Sequence, residues 1–186
     1  MFSEYDLPLA VKVGEKEFKI REKCDYRIVL KCIKALKDVN LSEETRVKCA
    51  LIIFYEDYKN ITNSDIKEAI EGMLNVIGYG ETHNDANKPA TMDWEHDFKQ
   101  IAPPISRVLG YSVRDPEKYT HYWDFIGAYL EIGDCAFATI MSIRQKRMKG
   151  KKLEKYEEEF YQENRKIIEL PRILTKEDED FLNSDW

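Results

Sequence analysis

The sequence lacks the short signatures that announce the commonest enzymes. None of HExxH, GxxxxGK[ST], GxGxxG or GxSxG occurs in its 186 residues, so zinc-protease, P-loop, dinucleotide-binding and nucleophile-elbow chemistry have no local support. Histidine is scarce: there are three, His83, His96 and His121, and their spacing fits no metal motif. A carboxylate beside one of them, as Glu95 is beside His96, is ordinary in a chain that is 34% charged. No catalytic residue, metal or cofactor is therefore expected. The four cysteines, Cys24, Cys32, Cys49 and Cys135, form no CxxC pair; three of them fall inside apolar helical patterns and are read as reduced core residues. The longest apolar run, Cys49 to Tyr55, has seven residues against about 20 for a membrane-spanning helix, so no membrane partner is expected. The first residues, Met1-Phe2-Ser3-Glu4-Tyr5-Asp6, carry acids where a signal peptide carries cations, and a cytoplasmic location is expected from them.

What the chain does have is apolar material for a core. With 43% hydrophobic and 12% aromatic residues it has the composition of a globular domain, and a chain of this size buries roughly 70% of its unfolded surface. The net charge of −6 is unevenly spread. Between Arg144 and Lys155 stand Arg144, Lys146, Arg147, Lys149, Lys151, Lys152 and Lys155 against the single acid Glu154, a net +6 that leaves −12 for the remainder. Such a block suits an acidic partner or nucleic acid; it equally suits a solvated helix end whose cations complement the helix dipole and pair with Glu157, Glu158 and Glu159. The acidic end, Glu177-Asp178-Glu179-Asp180 with Phe181, Leu182 and Trp186, reads as a solvated tail or a short recognition peptide.

The hydrophobic period is two at the start and about 3.6 afterwards, which predicts a mainly α fold, a multi-helix single domain over 1–170 with a short N-terminal β-hairpin and an acidic C-terminal tail over 171–186. Leu9, Val11 and Val13 alternate with polar or small residues, as do Phe18 and Ile20. A two-residue loop at Gly14-Glu15 would set Val11 opposite Phe18 and Leu9 opposite Ile20, with Gly14 suiting a type II′ turn. Asp25 is placed to cap a helix with Tyr26, Val29, Leu30, Ile33 and Leu36 in one stripe, and Ser42 a second with Val47, Leu51, Phe54, Tyr55 and Tyr58. A third helix starts at Asn63 or Ser64 and uses Ile66, Ala69, Ile70, Met73, Leu74 and Ile77. A polar loop follows, at about 78–93. A fourth helix, Trp94 to about Leu109, contains Pro103-Pro104 and is expected to kink or divide. Asp115-Pro116 reads as the cap and first position of a fifth through Tyr119, Tyr122, Trp123, Ile126, Ala128 and Leu130. A sixth uses Phe137, Ile140, Met141 and Ile143, and a last, from about Lys151, uses Tyr156, Phe160, Ile167 and Ile168.

One heptad stands apart: Tyr119-Thr120-His121-Tyr122-Trp123-Asp124-Phe125, five of whose seven residues are aromatic or histidine. Tyr119, Tyr122, Trp123 and Ile126 are spaced as a core-facing stripe, and the same cluster is the candidate binding surface. The features now fall in a familiar order: Leu7-Pro8 before the hairpin, Asp25-Tyr26-Arg27, Asp97-Phe98 near Ala102-Pro103, His121-Tyr122-Trp123-Asp124-Phe125, Ile143-Arg144 and the basic turn around Gly150. Together they resemble the bacteriophage Gp15 family of long-tailed phages and prophages, from about Leu7 to Ile168, with Tyr122 where that family usually has tryptophan. The resemblance implies a non-enzymatic protein of the tail-gene region, encoded before the tape-measure protein, and hence a tail assembly chaperone whose partners are the tape measure or other tail proteins. The candidate partner-binding residues are His121, Tyr122, Trp123, Phe125, Arg144, Arg147 and Lys149; of these His121, Tyr122, Arg144, Arg147 and Lys149 are the solvent-facing probes near the aromatic helix and the basic turn, whereas Trp123 belongs to the core if the stripe reading holds. The alternative is a nucleic-acid-associated phage protein using segment 144–155.

Overall fold

The structure, a computed structural model, describes residues 6–80 and 91–171. These fall into two compact units: residues 6–80 with 119–125, and residues 91–118 with 126–171. Most of the 78–93 loop and the acidic tail after Pro171 lie outside the described residues.

The first unit opens with the hairpin, β1 (Ala10–Val13) and β2 (Lys16–Lys19), in the expected antiparallel register with Val11 opposite Phe18. Gly14 turns the chain at φ +59°, a conformation that costs glycine little. Ile20 donates to the Leu9 carbonyl at 2.9 Å, which extends the ladder, and Val11, Val13, Phe18 and Ile20 form its buried face. Three helices follow: α1 (Tyr26–Lys37), α2 (Glu43–Phe54) and α3 (Ile66–Ile77). Asp25 caps α1 by accepting from the Arg27 amide, and Ser42 caps α2 by accepting from Thr45. The last carbonyls of α2 find no helical partner, and Arg21 takes them: its guanidinium donates to Ile52, Ile53 and Tyr55.

The buried faces are turned by about one residue from those read in the sequence. In α1 the buried positions are Tyr26, Ile28, Val29 and Cys32, with Leu30, Ile33 and Leu36 only half-buried; in α3 they are Ala69, Met73 and Val76, while Leu74 is exposed. The reason for α3 is contact with β1, where Gly72 lies against Val11. Small Ala69 and Gly72 let helix and strand approach, and larger Leu74 is turned outward. Before α1 the backbone does something the sequence does not announce. Glu22 (φ 50°), Lys23 (φ 55°) and Cys24 (φ 63°) are left-handed in succession although none is glycine, a conformation that costs L-residues roughly 1–2 kcal/mol each.

The second unit contains α4 (Trp94–Leu109), α6 (Ala136–Met148) and α7 (Lys155–Ile168). The helix preceding α6, α5 (Tyr122–Leu130), starts in the first unit. The expected break at Pro103-Pro104 does not occur: α4 runs through both prolines. A proline at 103 leaves the Lys99 carbonyl without its helical donor, and the Arg114 guanidinium reaches that carbonyl at 3.4 Å. The expected start of the fifth helix is also corrected. Asp115 caps only a local turn, accepting from Glu117, and α5 begins seven residues beyond it at Tyr122. The final helix begins at Lys155, after the extended residues 151–154. Ile101, Ala102, Ile105, Phe137, Ile140, Ile143, Tyr161 and Ile168 make this unit's core.

Candidate interaction site

The residues singled out in the sequence go to two places. In the first unit the aromatic heptad is clamped to both the N-terminal arm and the start of α1. His121 is fully buried; its Nε2 lies 3.1 Å from the Pro8 carbonyl and its Nδ1 accepts from the Trp123 amide at 3.0 Å. Those partners require the neutral tautomer with hydrogen on Nε2. Burial holds its pKa below the ordinary value, against the pull of the Asp124 and Asp25 carboxylates. His121 and Asp25 form a β-bridge, and the Tyr26 amide donates to the Thr120 carbonyl at 3.0 Å. Tyr26 stacks on Phe125, ring centres 4.4 Å apart. Tyr122 donates its hydroxyl to the Ile77 carbonyl and Trp123 its indole N–H to Val76, so both aromatic side chains tie α5 to the end of α3.

Solvent exposure at His121 and Tyr122 is therefore corrected: both are interior, as is Phe125, and Trp123 is half-buried. The heptad's outward residues are Asp124 and Tyr119, and the Tyr119 hydroxyl bonds the Lys23 carbonyl. The spacing that suggested a helical stripe misplaced it, because residues 119–121 lie outside the helix, which begins at Tyr122.

In the second unit the basic segment is split between interior and surface. Arg144 is buried, and all five of its N–H donors are used. Nη1 and Nη2 bind the two oxygens of Asp97 at 2.7 Å each, Nε reaches Ile168, Nη2 Ile167 and Nη1 Thr91, all at carbonyls. Lys146 lies 2.7 Å from both oxygens of Glu157, a contact that lowers the carboxyl's pKa and raises the amine's. Glu157 also accepts from Ser142 and closes the capping box of α7 with Glu154. Arg147 stacks over Tyr161, 4.1 Å from its ring centre, and Lys155 is 4.0 Å from Glu159. Among the described residues, Lys149, Lys151 and Lys152 have no ion pair. An open cleft of about 620 Å³ beside them is lined by Lys152, Leu153, Glu154, Lys155, Glu158 and Glu159. The +6 block is thus largely neutralised at home, which weakens the nucleic-acid alternative for segment 144–155.

The pairing of the basic segment with Glu157 is the one its sequence suggests. Asp97 is not legible in the same way: the available signal is an acid at an otherwise core-facing helical position, and Asp97-Phe98 enters the sequence reading only through the family pattern. Cys24 and Cys32 are buried thiols whose pKa values burial pushes up to about 12, far from a reactive thiolate. Among the described residues no three His, Cys, Asp or Glu side chains are placed to hold a metal, and no helix is long and apolar enough to cross a membrane.

The family model described as "Bacteriophage Gp15 protein" matches residues 4–170. The chain belongs to the bacteriophage Gp15 family. No curated protein and no solved structure matches it. The motifs that carried the resemblance are those that meet in the two buried clusters. Leu7-Pro8, Asp25-Tyr26-Arg27 and the aromatic heptad join in the first unit, as Asp97-Phe98 and Ile143-Arg144 do in the second. In this Gp15 chain Asp25, Tyr26, Asp97, His121, Tyr122, Phe125, Ile143 and Arg144 of these motifs are buried.

Proposed function

We propose that this phage protein is a non-catalytic tail assembly chaperone that binds the tape-measure protein in the host cytoplasm. The match to the Gp15 family over nearly the whole chain supports the proposal; the tail-gene setting is what the resemblance implies and belongs to the proposal itself. The side chains best suited to chemistry are occupied structurally: His121 by two backbone groups, Asp97 by Arg144, and Glu157 by Lys146. Large apolar side chains remain on helix surfaces instead, among them Leu130 (64% exposed), Tyr156 (63%) and Met148 (47%). A tape measure is a long helical chain whose apolar stripes need cover before the tube forms around it, and a surface offering apolar anchors among charges suits that task.

With His121, Tyr122, Phe125 and Arg144 interior, the contact residues to probe are Arg147, Lys149, Met148 and Tyr156, around the turn between α6 and α7. Co-expression with the tape-measure protein encoded nearby is expected to raise the tape measure's solubility and to co-purify the pair. Met148→Asp with Tyr156→Asp is expected to reduce the recovered complex more than tenfold while leaving helical circular dichroism unchanged. No co-purification and no gain in solubility would overturn the proposal.

A further inference from the structure

The left-handed turn at Glu22, Lys23 and Cys24 does not stand by itself; segment 119–122 holds it shut. Tyr119 donates its hydroxyl to the Lys23 carbonyl at 2.6 Å. Tyr26 donates to Thr120 at 3.0 Å. The Thr120 amide lies 3.4 Å from the Asp25 carboxylate. Three consecutive non-glycine residues keep this conformation only while their surroundings hold them in it. The pin of the clasp is His121. Its two ring nitrogens are committed in opposite senses, Nε2 donating to Pro8 and Nδ1 accepting from Trp123, so a second ring proton has no place: it would meet the Trp123 N–H head on.

We infer that residues 119–122 are an acid-released clasp: protonation of His121 at Nδ1 breaks its bond from the Trp123 amide and detaches the segment from the 22–25 turn, while the rest of the unit stays folded. The ionisable groups facing the ring are Asp25 at the start of α1, Asp124 on α5 and the thiol of Cys24 on the turn. The carboxylates attract an imidazolium and the thiol is neutral, but burial outweighs the attraction. The sign follows. A buried histidine kept neutral supports the closed state fully above its ordinary pKa of about 6.5, and that support is lost as pH falls below it. The inference does not depend on the identity of the partner.

Amide hydrogen exchange of the full chain, followed by NMR at pH 7.5 and 5.5 and corrected for intrinsic exchange, tests it. Closing against a proton taken up with a pKa of about 6.5 predicts that protection of the Tyr26 and Trp123 amides falls about tenfold between the two pH values. Val29 and Leu51, in the core of the same unit, are expected to keep theirs. Unchanged protection at Tyr26 and Trp123 would overturn the inference, as would an equal fall at Val29 and Leu51, which would mean global destabilisation. His121→Asn retains an oxygen that can accept from Trp123 but cannot titrate, and it is expected to abolish the pH dependence. Persistence of that dependence in the variant would also count against the clasp. Should the variant not fold, the comparison of amides in the native chain still decides.

Discussion

At Gly72 a single hydrogen atom decides how closely α3 approaches β1. A Cβ built there falls 2.2 Å from Val11 Cγ1, and Val11 is β-branched, buried and unable to swing aside. Gly72→Ala is therefore expected to destabilise the chain by about 1–3 kcal/mol through overpacking, although alanine ordinarily improves a helix interior. Urea denaturation measures the loss, and a cycle with Val11→Ala separates the causes. If the clash is responsible, Gly72→Ala costs much less in the Val11→Ala background; equal costs in both would exclude it. Val11 was legible as a core residue from strict alternation. Gly72 was not singled out, because a glycine inside a helical pattern is uninformative until its neighbour across the contact is known. The same blindness covers Glu22, Lys23 and Cys24, whose left-handed backbone is imposed by partners about a hundred residues away.

At the scale of elements, the ion pair between Asp97 on α4 and Arg144 on α6 joins two helices and, through Ile167 and Ile168, the end of a third. Breaking a buried pair leaves an uncompensated charge, at a cost of about 3–5 kcal/mol. Arg144→Met is expected to lose that amount because Asp97 then stays buried alone, whereas Arg144→Met with Asp97→Leu is expected to recover most of it. Thermal denaturation of the single and double variants checks this. A double variant as unstable as the single would mean that the carbonyl contacts of Arg144, and not the pair, hold the helices. Hydrophobic period located the helices well, since it follows from the geometry of an amphipathic face. It failed at the starts of α5 and α7 and at the prolines, and at α5 and the prolines the outcome depends on distant groups. Arg114 supplies a donor to the carbonyl vacated at Lys99, and His121 rather than Asp115 caps α5 through Trp123.

For the whole molecule, net charge concealed more than it told. The positive segment that looked like a docking surface sends Arg144 and Lys146 to buried carboxylates, so sequence proximity of like charges is a poor guide to surface potential once a helix turns one of its faces inward. The two units also place their titrating groups differently, which gives acid unfolding an order. In the first unit His121 has its pKa lowered by burial, so its contribution is complete above about 6.5 and declines as pH falls below that value. In the second, Glu157 has its pKa lowered chiefly by Lys146. Its contribution is complete above the ordinary glutamate value of about 4.3 and is lost only as pH falls through the lower, folded value. The first unit should therefore weaken between about pH 6.5 and 4.5 while the second still holds. Tryptophan reports on each separately, because Trp123 lies in the first unit and Trp94 in the second. In variants carrying Trp186→Phe with either Trp94→Phe or Trp123→Phe, the fluorescence of Trp123 is expected to change at a higher pH than that of Trp94. Coincident transitions would show that a single group, or a single cooperative unit, governs the acid response.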